Sequence, residues 1–122
     1  MGIPTTQLTG CAPMPIFKAE IKKNSVQVPL SSFIESNNMI TVSINQMEFN
    51  ILLIKKFDGN FAALEMKCSH QANPLTAGKT GLYCSTHGSA FDLEGNVTKE
   101  PALLPLKIYK TELNNSSVEI FL

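Results

Sequence analysis

The chain has 122 residues, the size of one ordinary domain, and 43% of them are hydrophobic, enough to bury a core without disulfides. Ten scattered lysines balance ten carboxylates, which leaves neither a basic patch for nucleic acid nor an acidic tail. No run approaches the ~20 apolar residues of a membrane helix, and three cysteines cannot form a complete disulfide framework.

The first residues, MGIPTTQLTGCAP, contain Leu8-Thr9-Gly10-Cys11. This stretch resembles the lipobox of bacterial lipoproteins, in which the cysteine carries the lipid. The basic segment and the apolar run of about 7–15 residues that precede such a box in a full signal are missing. Two readings stand: the sequence starts inside a longer signal peptide, or the match is chance in a tail containing Pro4, Pro13 and Pro15. In both, residues 1–15 are set apart as a flexible tail or signal remnant, and residues 16–122 form the domain. A membrane would be reached only through a lipid on Cys11. Location stays open between a membrane-anchored, exported protein and a cytoplasmic one.

The rest of the chain reads as β structure. VQVPL (26–30) alternates, with Pro29 suited to a strand end. MITVSI (39–44) places Ile, Val and Ile at alternate positions, the mark of a half-buried strand. PLSSFIES (29–36), between them, could make a short helical turn with Ser31 or Ser32 as cap and Glu35 near its third position. EFNILLIKKF (48–57) is a longer apolar strand, FDGN (57–60) a hairpin turn, and FAALEMK (61–67) the returning strand. Residues 68–80 are irregular. GLYC (81–84) is a short strand, AFDLEGNVTK (90–99) a hairpin, and LPLKIYKTEL (104–113) with SVEIFL (117–122) a final pair. About nine short strands joined by Gly, Asn and Asp turns predict an all-β fold of stacked antiparallel sheets.

Both histidines and two of the three cysteines fall in two short boxes, Cys68-Ser-His70 and Cys84-Ser-Thr-His87, with thirteen residues between them. A buried cysteine is ordinarily a small hydrophobe. That reading suits two Cys/His pairs in polar, turn-rich loops poorly, and four such ligands make a metal site by donor type. A structural Cys2His2 zinc module is one candidate. Zinc sites of this kind, however, open on C-x₂₋₄-C and close on H-x₃₋₅-H, whereas here each loop supplies one sulfur and one nitrogen. Mixed pairing suits two irons side by side, each loop giving its cysteine to one and its histidine to the other.

C-x-H followed by C-x-x-H-G-S-x-F-D resembles the two-box signature of the Rieske [2Fe-2S] proteins. GNVTKEPALLPLKIY resembles the family segment in which a Pro-Ala stretch covers the cluster. The likeness runs over about residues 25–122. It implies one [2Fe-2S] cluster per chain, held in a loop subdomain near residues 66–103, with Cys68 and Cys84 on one iron and His70 and His87 on the other. It also implies that Gly88 lets the backbone approach closely enough to aim amides at the sulfurs, and that Ser89 donates a hydrogen bond to the sulfur network. Members that serve quinol-oxidising complexes carry a disulfide between the boxes and a tyrosine four residues after the second histidine. Here those positions are Asn73, Thr86 and Phe91. Hydrogen bonds to sulfur favour the more negative reduced cluster, so one donor kept and one lost predicts a midpoint inside the Rieske range of ~−150 to +300 mV. The implied function is one-electron transfer to or from a redox protein docking at the His70/His87 tip. The chain could also be the electron-transfer subunit of a larger oxidoreductase or oxygenase. Nucleic acid is not expected as a partner.

Overall fold

The computed structural model describes residues 14–34 and 37–122; the stretch ending at Cys11, and Glu35, lie outside the described residues. In chain order the strands are β1 (Ile16–Ala19), β2 (Ser25–Pro29), β3 (Met39–Ile44), β4 (Ile51–Lys55), β5 (Phe61–Glu65), β6 (Thr76–Ala77), β7 (Leu82–Tyr83), β8 (Ala90–Phe91), β9 (Val97–Lys99), β10 (Ile108–Asn114) and β11 (Ser117–Phe121). Seven form a large sheet in the order β1-β3-β4-β5-β10-β11-β2, and four a small sheet in the order β6-β7-β8-β9. Neighbours are antiparallel except β1 and β3, which run parallel with Ile16 opposite Thr41.

The edge strands β1 and β2 return to each other, so the large sheet curls around a first core that includes Val28, Val42, Ile51, Leu53, Val118 and Ile120. A second core lies between the outer face of β3–β5 and the small sheet. There Leu52, Ile54 and Leu64 meet Leu82, Phe91 and Leu106. Strand β4 is buried on both faces, Ile51 and Leu53 toward the first core and Leu52 and Ile54 toward the second. That double burial is why its sequence is an unbroken apolar run.

The all-β expectation and most strand positions agree with the structure. β3 has the predicted bounds, and the turn at Asp58-Gly59 is present. Gly59 takes φ +91°, and the Asp58 carboxylate accepts the Asn60 amide at 2.9 Å. The differences are local. The strand expected over 48–57 is confined to Ile51–Lys55, because Lys56 already donates across the turn to the Asn60 carbonyl. Leu30–Ser32 form a single 3-10 turn headed by Pro29, with no serine cap. β1 and β6 were not anticipated; each is short and exists through pairing with a neighbour rather than through its own pattern. The fold also starts before residue 16: Met14 packs against the second core, and the Pro15 carbonyl accepts the Thr41 amide at 3.0 Å.

The small sheet carries the loops that matter. β7 and β8 pair Leu82 with Phe91. They come so close that a Cβ at Gly81 would stand 2.2 Å from the Phe91 carbonyl oxygen, so only glycine fits there.

Candidate metal centre

The first loop leaves β5. A Lys67–Pro74 bridge closes its neck, and the Cys68 amide donates to the Asn73 carbonyl at 2.8 Å. The second joins β7 to β8. Its Cys84 amide donates to the Ser89 carbonyl at 2.8 Å, and the Gly88 amide donates to the Cys84 carbonyl at 2.9 Å. The two loops share one plan. A buried cysteine sits at the base, each only 2% exposed, and an exposed histidine stands at the tip. Both thiols lie buried in the second core. The two imidazoles lie 5.2 Å apart between ring centres, with planes at 89°. The structure thus sorts the four residues into a sulfur pair inside and a nitrogen pair outside.

Residues 100–106 form a strap across both loops. The Ala102 amide donates to Ser89 Oγ at 3.0 Å, Ser69 Oγ donates to the Leu104 carbonyl at 2.5 Å, and the Leu106 amide donates to the Gly95 carbonyl at 2.8 Å. Ser69 is a residue that sequence reasoning missed as a contributor. Its partner lies 35 positions away, and nothing in its own box marks the contact.

Burial pushes the Cys84 thiol up, but the amides of His87 and Thr86 and the side chains of Cys68 and Thr86 outweigh it and hold its pKa below the ordinary thiol value. These groups favour the thiolate form of Cys84. Gly88 has a backbone reason for being glycine. A Cβ there would meet no protein atom within 4 Å, so its glycine is required by φ +84°. Its own amide closes the turn onto the Cys84 carbonyl. Thr86 and Asn73, at the positions of the absent disulfide, also have work of their own. The Thr86 side chain helps to lower the Cys84 thiol pKa, and the Asn73 carbonyl closes the first loop.

Ser89 tests whether an inorganic sulfur cluster fits. It is fully buried and its oxygen accepts the Ala102 amide, yet among the described residues no protein atom accepts its hydroxyl proton. A buried donor without an acceptor costs about 1–3 kcal/mol, and a sulfide beside the cysteine pair would take that proton. A zinc module fits badly. Tetrahedral zinc needs four donors around one point, and among the described residues no three His, Cys, Asp or Glu side chains converge on one metal position.

The family model of the Rieske [2Fe-2S] domain matches residues 24–110. The chain belongs to this family, and its cofactor is a [2Fe-2S] cluster. It is 29% identical over 76 residues to the 5,5'-dehydrodivanillate O-demethylase oxygenase subunit of Sphingobium sp. (strain NBRC 103272 / SYK-6), covering 60% of this chain and 18% of that protein. The match thus spans less than a fifth of that relative's length. Among solved structures, the ferredoxin of carbazole 1,9a-dioxygenase from Nocardioides aromaticivorans IC177 superposes with a TM-score of 0.56 at 18% identity, over 81% of this chain and 98% of the ferredoxin. The plasma membrane Rieske protein PetC3 from Synechocystis PCC 6803 gives 0.55 at 18% identity, over 80% and 86% of the two chains. At these identities the superpositions establish the fold.

Proposed function

We propose that residues 16–122 are a one-electron carrier in which Cys68 and Cys84 hold one iron of the cluster and His70 and His87 the other. The observation that carries this is the layering of two cysteines buried in one core beneath two exposed imidazoles on loops tied by one strap. When bound, the cluster supplies a reversible one-electron couple. The chain supplies the rest. Thr86, His87 and Ser89 offer donors to sulfur, the second core keeps water from the cysteines, and the imidazoles present an exposed edge to a redox protein partner.

A purified chain should contain iron and acid-labile sulfide in equal amounts, two of each, and take up one electron reversibly at a midpoint inside the Rieske range of ~−150 to +300 mV. One zinc and no sulfide would sink the proposal.

The oxygenase-subunit relative supports a second reading, in which the chain feeds electrons to a larger oxygenase. Mononuclear oxygenase iron needs two histidines and a carboxylate, and both histidines of this chain are assigned to the cluster. Oxygen chemistry would then fall to residues outside the domain of residues 16–122, and this domain would supply its electrons.

A further inference from the structure

The strap leaves one feature unexplained by ligation. Between buried Ala102 and buried Leu106 it turns Leu103 and Leu104 outward, 78% and 65% exposed. They are not loose. The Ala102 amide is fixed to Ser89, the Leu104 carbonyl to Ser69, and the Leu106 amide to Gly95. The fold therefore holds two leucines in water at a fixed place, an arrangement that marks a contact surface. That place adjoins the metal centre: Leu104 and Pro105 line one shallow cleft together with Ser69 and His70.

Charge around the cleft is one-sided. From Met66 to Phe91 the sequence contains Lys67 and Lys79 and no carboxylate. Lys67 and Lys107 border the cleft, with their ammonium groups over the rings of Phe49 and Tyr109 at 5.7 and 4.9 Å. The cleft's single carboxylate, Glu65, accepts the Tyr109 hydroxyl at 3.4 Å. Glu100, at the start of the strap, is exposed, and Asp92 and Glu94 sit in the β8–β9 turn that carries Gly95, at the far end of β8 from the Cys84–His87 loop.

We infer that Leu103 and Leu104, rimmed by Lys67 and Lys107, are the docking shelf for the redox partner, and that the partner is a protein with an apolar spot framed by carboxylates around its electron-donating group. The inference rests on the proposed function and deepens it. A partner covering the shelf is brought against His70, one of the two exposed imidazoles, so apolar contact and electron exchange share one patch.

Reduced flavodoxin, an acidic protein whose flavin hydroquinone gives up one electron to become the semiquinone, serves as probe, and basic cytochrome c as counter-probe. The oxidised chain gains that electron. In stopped flow, the double variant Leu103→Ser/Leu104→Ser should react with flavodoxin roughly tenfold more slowly, the loss expected for truncating central apolar contacts. Its visible spectrum and midpoint should not change. Lys107→Glu, which leaves the strap untouched, should slow flavodoxin and speed cytochrome c, with a weaker salt dependence for flavodoxin. Unchanged flavodoxin rates in variants with an intact cluster spectrum overturn the inference. So does a wild-type dimer that the leucine variant dissolves, which would make a second copy the occupant. A wild-type chain without the cluster spectrum instead contradicts the proposed function, so the two failures are distinguishable.

Discussion

At the scale of single residues, potential and packing hang on a few atoms around the second loop. The chain has no tyrosine hydroxyl at position 91, where Phe91 is buried in the second core with both cysteines. The Thr86 side chain is one of the groups that lower the Cys84 thiol pKa. Donors to sulfur favour the reduced state. Redox titration should therefore give Phe91→Tyr a higher midpoint than wild type and Thr86→Val a lower one. Equal midpoints for all three would mean that neither hydroxyl reaches a sulfur. Gly81 is the packing counterpart. With the Phe91 carbonyl 2.2 Å from its virtual Cβ, Gly81→Ala must push β7 and β8 apart. Denaturant unfolding should show a loss of about 1–3 kcal/mol, accompanied by lower iron content, because β7 runs directly into Cys84. The two Cys/His boxes were legible in the sequence because residue type and spacing are local properties, and the structure places their histidines side by side. The role of the Ser69 hydroxyl was not legible, since its partner, the Leu104 carbonyl, is set by how the strap folds over the loop.

At the scale of elements, β10 is fastened to β5 by backbone pairing and by the Tyr109 hydroxyl donating to the Glu65 carboxylate at 3.4 Å. Burial, followed by the Glu65 charge and its hydrogen bond, pushes the Tyr109 pKa from 10.0 up to about 12. The folded state thus keeps its proton where the unfolded chain would release it. The stability from this contact is fully present below pH 10 and is lost as pH rises from there to about 12. Thermal unfolding against pH should show this alkaline decline in wild type and a shallower one in Tyr109→Phe; identical slopes would contradict the account. Strands such as β3 and β4 were readable because their burial pattern is written in their own residues. β1 and β6 were not, because four- and two-residue strands carry too little pattern of their own and are defined by neighbours distant in sequence.

At the scale of the whole molecule, the two cores divide the labour. The first lies inside the curled sheet and draws on no strand of the small sheet. The second contains Cys68 and Cys84 and is shared with β7, β8 and the strap. Removing the cluster with chelator should therefore raise hydrogen exchange in β6–β9 and residues 100–106 while β2, β4 and β11 stay protected. Uniform loss of protection would show that the cores are not separable. The all-β class was legible because alternation and turn residues recur along the chain, and the cluster because two boxes name it. The curl of the large sheet and the strap's outward leucines arise from long-range pairing and had no local signature. The central claim is that the cysteines and histidines sort onto different irons. The direct measurement is pulsed electron paramagnetic resonance of the reduced protein grown with nitrogen-15 histidine. The account predicts two coupled histidine nitrogens, and the loss of this paired coupling in both His70→Cys and His87→Cys. A reduced cluster with no histidine nitrogen coupled to it would contradict the account.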